Sequence, residues 1–308
     1  MRAAQISQYG HADAIKLKNM PKPKAGKGQL VIEVHASSIN PVDSAVREGF
    51  FQVPLPTTLG FDVSGVVDSV GEDVATFKAG DRVYGQSNPL RGGSGAFADY
   101  ALAPAAMLGK MPDKLSYIDA AAVALTGTSA LQALTEHLAL KQGQKILIHG
   151  GAGGIGSIAI QIAKHLGAFV ATTVNVDDVD FVRHLGADQV IDYKAQRFEQ
   201  LVSDFDAVFD TVGGDTLARS YQVLKRGGIL VSMTTAPNEP LAQQMGITAL
   251  MQFTQPTPER LAALARLVDE GVVSIHVEKT FPLELVGEAF KEKECGHVRG
   301  KIAIEVKK

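Results

Sequence analysis

Residues 145–168 read KILIHGGAGGIGSIAIQIAKHLGA, a stretch typical of a strand, a glycine turn and a helix in direct succession. Within it Gly151, Gly153 and Gly156 match the pattern G-x-G-x-x-G immediately after an apolar strand. The first glycine allows a sharp turn, the second lets the backbone approach a pyrophosphate, and the third lets the helix pack closely on the strand. The stretch therefore predicts a dinucleotide cofactor site.

The helix of this stretch supports the same interpretation. Its apolar residues recur at spacings of three and four, as on the buried face of an amphipathic helix, and Gly167 is a typical stop. Gly154 and Ile155 lie in the first turn, where free backbone amides attract phosphate. An ordinary glycine turn before a buried helix is the alternative, but such a turn does not require all three glycines.

The length and composition restrict the class of protein. The chain has 308 residues, which favours two domains, and its apolar share of 45% with 20% charged residues is ordinary for a globular protein. A net charge of -3 with a pI near 6.2 argues against nucleic-acid binding. No apolar run approaches the roughly 18 residues of a membrane helix, and residues 1–10 lack the apolar segment of a signal peptide. We expect a cytoplasmic protein without a membrane partner.

Cysteine and histidine usage argues against a metal site. Cys295 is the one cysteine, so an internal disulfide and a zinc site with several thiolates are excluded, and we expect an incidental surface thiol. The eight histidines form no ligand pattern, and only His149, just before the glycine turn, is expected near the cofactor. We therefore predict no metal.

The order of elements predicts an α/β fold. Residues 29–112 contain short β-rich runs separated by glycine and proline, which indicates a largely antiparallel β domain. From about residue 116 the pattern changes to alternating helices and strands, which indicates a parallel, doubly wound sheet. The predicted elements here are helices at 118–140, 155–166, 179–185 and 217–224 and strands at 146–148, 169–174, 190–193, 207–210, 229–233 and 247–253. The tail predicts two more helices and a terminal strand, KIAIEV.

Several motifs in a fixed order give the chain a family resemblance. They are QYG at 8–10, SINPVD at 38–43, LGFDVSG at 59–65, GDRV at 80–83, the glycine motif, LGAD at 185–188 and GHVRGK at 296–301. With these motifs the chain resembles the zinc-free, quinone oxidoreductase-like branch of the medium-chain dehydrogenase/reductase superfamily. The resemblance implies a GroES-like catalytic domain at 1–117, completed by 257–308, and a Rossmann cofactor domain at 118–256. It also implies a homodimer.

The same resemblance shows which chemistry is missing. Zinc alcohol dehydrogenases have a cysteine ligand where this chain has Asn40, and Gly-His-Glu where it has Gly60, Phe61 and Asp62. A phenylalanine cannot bind zinc. Without that Lewis acid, hydride delivery to a quinone or an α,β-unsaturated carbonyl is favoured over alcohol oxidation.

Two residues are catalytic candidates. Asn40 can donate a hydrogen bond to an oxygen that gains charge, although an Asn before Pro41 is also typical of a turn. Thr126 matches a threonine that relatives place beside the nicotinamide, and its alternative is a helix threonine bonded to its own turn. Asp43 is interpreted as a helix cap, with a residue that orients Asn40 or the ribose as the alternative. Ala45 stands where quinone-reducing relatives often carry a tyrosine, which leaves the proton donor and the substrate class open.

The cofactor is predicted to be NADPH. An acidic residue about 20 residues beyond the glycine motif normally holds the ribose of NAD, and here the second strand ends at neutral Asn175. Tyr193 matches a tyrosine near the adenosine phosphate in relatives, with a tyrosine at the sheet edge as the alternative. However, Asp177 and Asp178 lie close to Asn175 in sequence, and no Lys or Arg follows it directly to bind a 2′-phosphate. NADH therefore stays open as the alternative cofactor.

Further cofactor contacts follow from strand ends and from the C-terminal motif. Gly213 is a candidate for close backbone approach after a strand, while Asp210 is interpreted as a turn former. Arg299 and Lys301 are candidates for the pyrophosphate or the substrate cleft, with exposed strand-end charges as the alternative.

We therefore expect an NADPH-dependent reductase of quinones or enones. One alternative is an enoyl-thioester reductase, which requires a proton donor that the sequence does not identify. The other is a non-catalytic NADPH-binding protein of the ζ-crystallin type, which agrees with the lack of an obvious acid or base.

Overall fold

The computed structural model describes residues 1–307, with only the backbone of Cys295, so the predicted surface thiol lies outside the described atoms. The chain divides into two compact units, which we call unit 1 and unit 2. Unit 1 comprises Met1–Leu125, Gln255–Glu270 and Ile275–Lys308, and unit 2 comprises Thr126–Thr254 and Gly271–Ser274. The functional division at 117 and 257 stays a prediction.

The elements follow one another in a β-rich part, an alternating part and a C-terminal part. The first part contains β1 (Arg2–Ile6), β2 (Lys16–Asn19), β3 (Gln29–Ser38), α1 (Pro41–Glu48), β4 (Thr57–Thr58), β5 (Asp62–Val70), β6 (Arg82–Gln86), β7 (Tyr100–Pro104), β8 (Leu108–Lys110) and α2 (Tyr117–Gln132). The second contains β9 (Lys145–His149), α3 (Gly154–His165), β10 (Phe169–Val174), α4 (Val179–His184), β11 (Gln189–Asp192), β12 (Phe205–Asp210), α5 (Gly214–Ser220), β13 (Leu224–Ser232), α6 (Glu239–Met245) and β14 (Thr248–Met251). The third contains α7 (Pro258–Asp269), β15 (Val277–Pro282), α8 (Val286–Cys295) and β16 (Lys301–Glu305).

Unit 2 is built on a parallel six-stranded sheet. Its strand order is β11-β10-β9-β12-β13-β14, and every neighbouring pair is parallel. The first strand of the series, β9, has the second strand on one side and the fourth on the other, so the order reverses between β9 and β12. Ligands of such sheets bind beyond the carboxyl ends of the strands at this reversal. The predicted doubly wound sheet is confirmed.

Unit 1 is built on a larger and mostly antiparallel sheet. Its order is β15-β16-β3-β5-β6-β8, with β7 also paired to β3, and only β15 and β16 pair in parallel. A second sheet of order β2-β1-β4 belongs to the same unit. The pairing of β16 with β3 places Ala303 opposite Ser38. The C-terminal strand thereby brings Lys301 beside the end of β3.

Some helix bounds differ from the prediction. The helix predicted at 118–140 is α2, which ends at Gln132 and continues into a π-helical turn, Ala133–His137. The helix predicted at 217–224 begins earlier, at Gly214, and Leu224 already belongs to β13. Helix α6 was not predicted because it is short and its caps, rather than an apolar pattern, define it.

Those caps are visible in the local geometry. Asn238 accepts a hydrogen bond from the amide of Leu241 at 3.1 Å, and Gly246 ends α6 with a φ of 67°.

In residues 1–307 no helix combines the length and apolar character that crossing a bilayer requires.

Candidate functional site

The glycine turn of unit 2 joins β9 to α3 in very little space. A Cβ on Gly151 would overlap the hydroxyl oxygen of Thr172 on β10, and a Cβ on Gly156 would overlap the carbonyl oxygen of Gly150. A Cβ on Gly153 would meet only the carbonyl oxygen of Gly150, at an ordinary 3.4 Å. Packing within unit 2 therefore requires the first and third glycines but not the second.

The second glycine faces outward, together with the first turn of α3. Gly153, Gly154 and Ile155 are half-buried, whereas Gly151 and Gly156 are buried. The first backbone amides of a helix have no partner within the helix and carry partial positive charge. An open glycine surface beside such amides fits a pyrophosphate.

Asn175 and Tyr193 lie at the carboxyl ends of two neighbouring strands. Asn175 directly follows β10 and Tyr193 directly follows β11, and the amide of Tyr193 donates to the carbonyl of Val174 at 3.1 Å. Asn175 is 8% exposed and its Nδ2 lies 3.3 Å from the carboxylate of Asp177, whereas Tyr193 is 56% exposed. The two residues predicted to meet the adenosine end thus share one edge of the sheet.

The loop after β12 lies at the same edge, beside the glycine turn. Asp210 is buried and its carboxylate accepts from the amides of Val212 at 3.0 Å and of Gly213 at 3.0 Å. Burial raises the pKa of Asp210, while these donors lower it. Gly213 has a φ of 81°, which favours glycine. Asp210 is thus a turn former, as predicted, and the approach of Gly213 to a cofactor stays a prediction.

Unit 1 contains a fully buried group of charged and polar side chains, which we call the buried ion cluster: Asn40, Asp43, Asp62 and Lys301. All four are at most 5% exposed. The Lys301 ammonium donates to Asn40 Oδ1 at 2.5 Å and to the carbonyl of Ile39 at 2.7 Å, and lies 3.8 Å from Asp62. Asn40 Nδ2 donates to Asp62 at 2.7 Å. Because an ammonium only donates and a carboxylate only accepts, the orientation of the Asn40 amide is fixed.

Each carboxylate of the cluster has further donors. Asp62 accepts from the Ser38 hydroxyl at 2.6 Å and from the amide of Leu125, in α2, at 3.1 Å. Asp43 accepts from the amide of Asn40 at 2.8 Å, which caps α1, and from the amides of Gly60 and Phe61 at 3.1 Å. The interpretation of Asp43 as a cap is therefore confirmed.

Burial dominates the electrostatics of the cluster. It raises the pKa of Asp43 and of Asp62 and lowers the pKa of Lys301. The opposite charges act against these shifts, since Lys301 lowers the pKa of both carboxyls and they raise the pKa of Lys301. The cluster holds two acids and one base out of water, and its geometry aligns the end of β3 with the start of α1.

The structure brings some predicted residues together and not others. Asn40 and Lys301 meet in the buried ion cluster, while Arg299 is half-buried in the segment before β16. Thr126 is buried in α2, at the first position of unit 2. The role predicted for Lys301, at the pyrophosphate or in the substrate cleft, stays a prediction. Its ammonium lies near oxygen atoms of Ile39, Asn40 and Asp62, all within unit 1.

The positions compared with zinc ligands hold no ligand set. Phe61 is 2% exposed and belongs to the apolar core of unit 1. Among the described residues, no group of three or more His, Cys, Asp or Glu side chains is arranged to hold a metal ion. Lys301 instead places a positive charge against Asn40 and Asp62.

Three residues that contribute to these sites were not predicted from the sequence. Asp62 begins β5 and Ser38 ends β3, and a polar residue beside an apolar run is a signal that a buried polar group is present. Thr173, at the end of β10, accepts from the amide of Gly151 at 3.1 Å. Nothing in its sequence context distinguishes Thr173 from Thr172.

Comparison with known proteins agrees with this arrangement. Residues 26–113 match the family model of the alcohol dehydrogenase GroES-like domain, which confirms the GroES-like prediction, and residues 185–304 match that of a zinc-binding dehydrogenase. The chain is 34% identical over 316 residues to the chloroplastic NADPH-dependent alkenal/one oxidoreductase of Arabidopsis thaliana. That alignment covers 99% of this chain and 79% of the relative.

Solved structures with the same fold cover the whole chain. The quinone oxidoreductase of Coxiella burnetii superposes with a TM-score of 0.93 at 36% identity, covering 100% of this chain and 99% of the other. The Escherichia coli quinone oxidoreductase, solved in complex with NADPH, superposes with a TM-score of 0.90 at 27% identity, covering 99% and 100%. These matches span both units of the chain.

Proposed function

The chain belongs to the medium-chain dehydrogenase/reductase superfamily, in its quinone oxidoreductase branch, and we propose that it reduces quinones or α,β-unsaturated carbonyls with NADPH, without zinc. The observation that carries the proposal is the pair Phe61 and Lys301. An apolar ring stands where zinc relatives have a histidine ligand, and an ammonium binds the Asn40 side chain, which stands where they have a cysteine.

The residues of unit 2 fit the cofactor. Gly151 and Gly156 shape the turn, and Gly153 with the amides of Gly154 and Ile155 would hold the pyrophosphate. When bound, NADPH supplies the hydride, so the acceptor must already be electron-poor.

Other residues would contact the cofactor away from the glycine turn. Asn175 in place of an acidic residue avoids repulsion of a 2′-phosphate, and Tyr193 would pack beside it. We propose that the backbone of Gly213 approaches the cofactor closely. The positive side chain of Arg299 is proposed to interact with the negative charge of the cofactor.

Asn40 and Thr126 are proposed to act on the acceptor. Because Asp62 and Lys301 both hold the Asn40 amide, we expect it to work from a fixed orientation. Thr126 would offer a hydroxyl, which both donates and accepts a hydrogen bond.

The decisive experiment is a steady-state assay of the purified protein. The protein should oxidise NADPH when benzoquinone or methyl vinyl ketone is the acceptor. The rate should be higher with NADPH than with NADH, and treatment with EDTA should not change it. Crotonyl-CoA serves as the thioester acceptor. Preference for crotonyl-CoA would favour an enoyl-thioester reductase, and tight NADPH binding without turnover of any acceptor would refute the enzymatic proposal.

We also propose a cytoplasmic homodimer. The single cysteine suits a reducing compartment, and β14 is an edge strand whose outer side has no strand partner within the described sheet. Cell fractionation and analytical ultracentrifugation test the two statements. Recovery in an organelle, or sedimentation as a monomer at high concentration, would contradict them.

A further inference from the structure

A histidine and a threonine lie behind the glycine turn, where neither side chain faces the cofactor surface. His149 is the last residue of β9 and Thr173 is its partner on β10 in the parallel register. They are 0% and 4% exposed, and His149 Nδ1 lies 3.0 Å from Thr173 Oγ1. We call them the His149–Thr173 pair.

The hydrogens of this pair can be assigned from its neighbours. The Ser220 hydroxyl lies 2.7 Å from the carbonyl of Thr216, to which it can only donate. Ser220 Oγ therefore accepts from His149 Nε2, 3.0 Å away. Burial lowers the pKa of His149 to about 3, so the ring is neutral and its Nδ1 is an acceptor. The Thr173 hydroxyl consequently donates to Nδ1.

Because the Thr173 hydroxyl donates its hydrogen to His149, the lone pairs of Thr173 Oγ1 can accept hydrogen bonds from the glycine turn. The amide of Gly150 points to Oγ1 at 3.4 Å, and the amide of Gly151 donates to the Thr173 carbonyl at 3.1 Å. The amide of Gly153 donates to the Gly150 carbonyl at 3.0 Å. The amides at the start of the turn are thus directed inward, and those of the first turn of α3 remain for a ligand.

We propose that the His149–Thr173 pair sets the affinity for NADPH without touching it, by fixing which amides of the glycine turn face the pyrophosphate. Both are positioning residues, and the inference rests on the proposed cofactor. The alternative is that His149 only packs, since its ring lies edge-on to Phe198 with the centroids 4.6 Å apart. A residue that only packs could be replaced by phenylalanine without loss of NADPH affinity.

Five single variants separate these roles. Thr173→Val keeps the shape and removes the hydroxyl, while Thr173→Ser restores it. His149→Phe keeps a ring, and His149→Asn restores an acceptor near the position of Nδ1. Thr135→Val is the matched control, because it removes a hydroxyl that donates to the Leu131 carbonyl, at 2.7 Å, within its own helical turn.

The primary measurement is the Kd for NADPH, from titration of nicotinamide fluorescence, with urea unfolding of each variant without ligand. We expect Thr173→Val and His149→Phe to weaken binding about tenfold, the value of one hydrogen bond. Thr173→Ser and Thr135→Val should stay within about twofold of the unaltered protein, and His149→Asn should recover part of the loss. In turnover, the KM for NADPH should rise while kcat at saturating NADPH is kept.

The outcomes distinguish the inference from the proposed function. If the unaltered protein does not bind NADPH, both are refuted. If it binds and a folded Thr173→Val variant binds equally tightly, the inference alone is refuted. Should His149→Phe fail to fold, the comparison of Thr173→Val with Thr173→Ser still decides, because a loss that serine does not restore indicates packing.

Discussion

The Asn40 side chain shows how a buried lysine can give an amide one orientation. Lys301 must face its oxygen and Asp62 must face its nitrogen, so rotation of the amide by half a turn would oppose like groups at both ends. A buried charge that loses its partner is costly, which keeps the arrangement rigid. The orientation of the Asn40 amide is therefore set by its neighbours within unit 1.

Lys301→Met should strongly destabilise the protein. It leaves Asp62 and Asp43 buried with less compensation, and breaking a buried ion pair costs about 3–5 kcal/mol of unfolding free energy. Urea unfolding of the variant measures this loss. The double variant Lys301→Met with Asp62→Asn should recover part of it. A loss below about 1 kcal/mol for the single variant would mean that Lys301 contributes no net compensation.

His149 should give the protein a specific sensitivity to acid. Burial, with a smaller effect of Arg219, lowers its pKa to about 3 in the folded state, well below the ordinary 6.5. Below pH 6.5 the unfolded chain takes up a proton that the folded protein does not, so stability is lost as the pH falls towards 3.

At about pH 5 the resulting loss of unfolding free energy is about 2 kcal/mol relative to neutral pH. Unfolding free energies of the unaltered protein and of His149→Asn, measured at several pH values, test it. The variant should lose less stability between neutral and acidic pH. Parallel curves for the two proteins would contradict the assignment of a neutral, buried imidazole.

Residues with local requirements were predictable, and residues that depend on distant neighbours were not. The glycines were found because their spacing reflects the backbone of one turn. The C-terminal motif predicts Lys301 at the pyrophosphate or in the substrate cleft, but it does not predict the contacts of its ammonium with Asn40 and Asp62. That contact depends on the pairing of β16 with β3, between residues far apart in sequence.

At the scale of elements, the β9–α3 connection separates two functions of glycine. Gly156 is required by the backbone of Gly150 and Gly151, each of which would lie 2.8 Å or less from its Cβ. Gly153 has room for a Cβ and a φ of -74° that any residue adopts. Packing of the turn therefore requires Gly151 and Gly156, whereas it does not require Gly153, the glycine that we propose is reserved for the ligand.

Gly153→Ala and Gly156→Ala should consequently behave differently. Gly153→Ala should lower the unfolding free energy by about 1 kcal/mol or less, because alanine is a poorer helix cap than glycine. It should weaken the binding of NADPH at least about tenfold. Gly156→Ala should cost about 2–3 kcal/mol in the absence of NADPH, because the backbone must move. Urea unfolding and NADPH titration check both. Unchanged NADPH affinity in Gly153→Ala would show that the cofactor does not approach this glycine.

Elements with a long apolar pattern were predicted well, and those defined by caps or context were not. Helix α3 has a regular apolar face, and the six strands of unit 2 were all placed near their observed positions. Helix α6 has a single buried residue, Ala242, so periodicity carries little information there. The end of α2 in a π-helical turn likewise has no sequence signal that we recognised.

At the scale of the molecule, the sequence predicted the order of the parts because the change from β-rich to alternating elements is visible along the chain. The return of the C-terminal segment to unit 1 followed from the family resemblance and not from any residue pattern. In the structure this return is made by α7, β15, α8 and β16. Strand β16 is inserted between β15 and β3.

This insertion has a consequence for protein synthesis. The ribosome releases the last residues of unit 2, Gly271–Ser274, before it releases β16. A growing chain can therefore complete its nucleotide-binding sheet while the carboxyl end of β3, residues 36–38, still lacks a neighbour on the side opposite β5, and domains generally fold as units during synthesis. The buried ion cluster needs Lys301, so it is assembled only after the last strand of the unit 2 sheet has been synthesised.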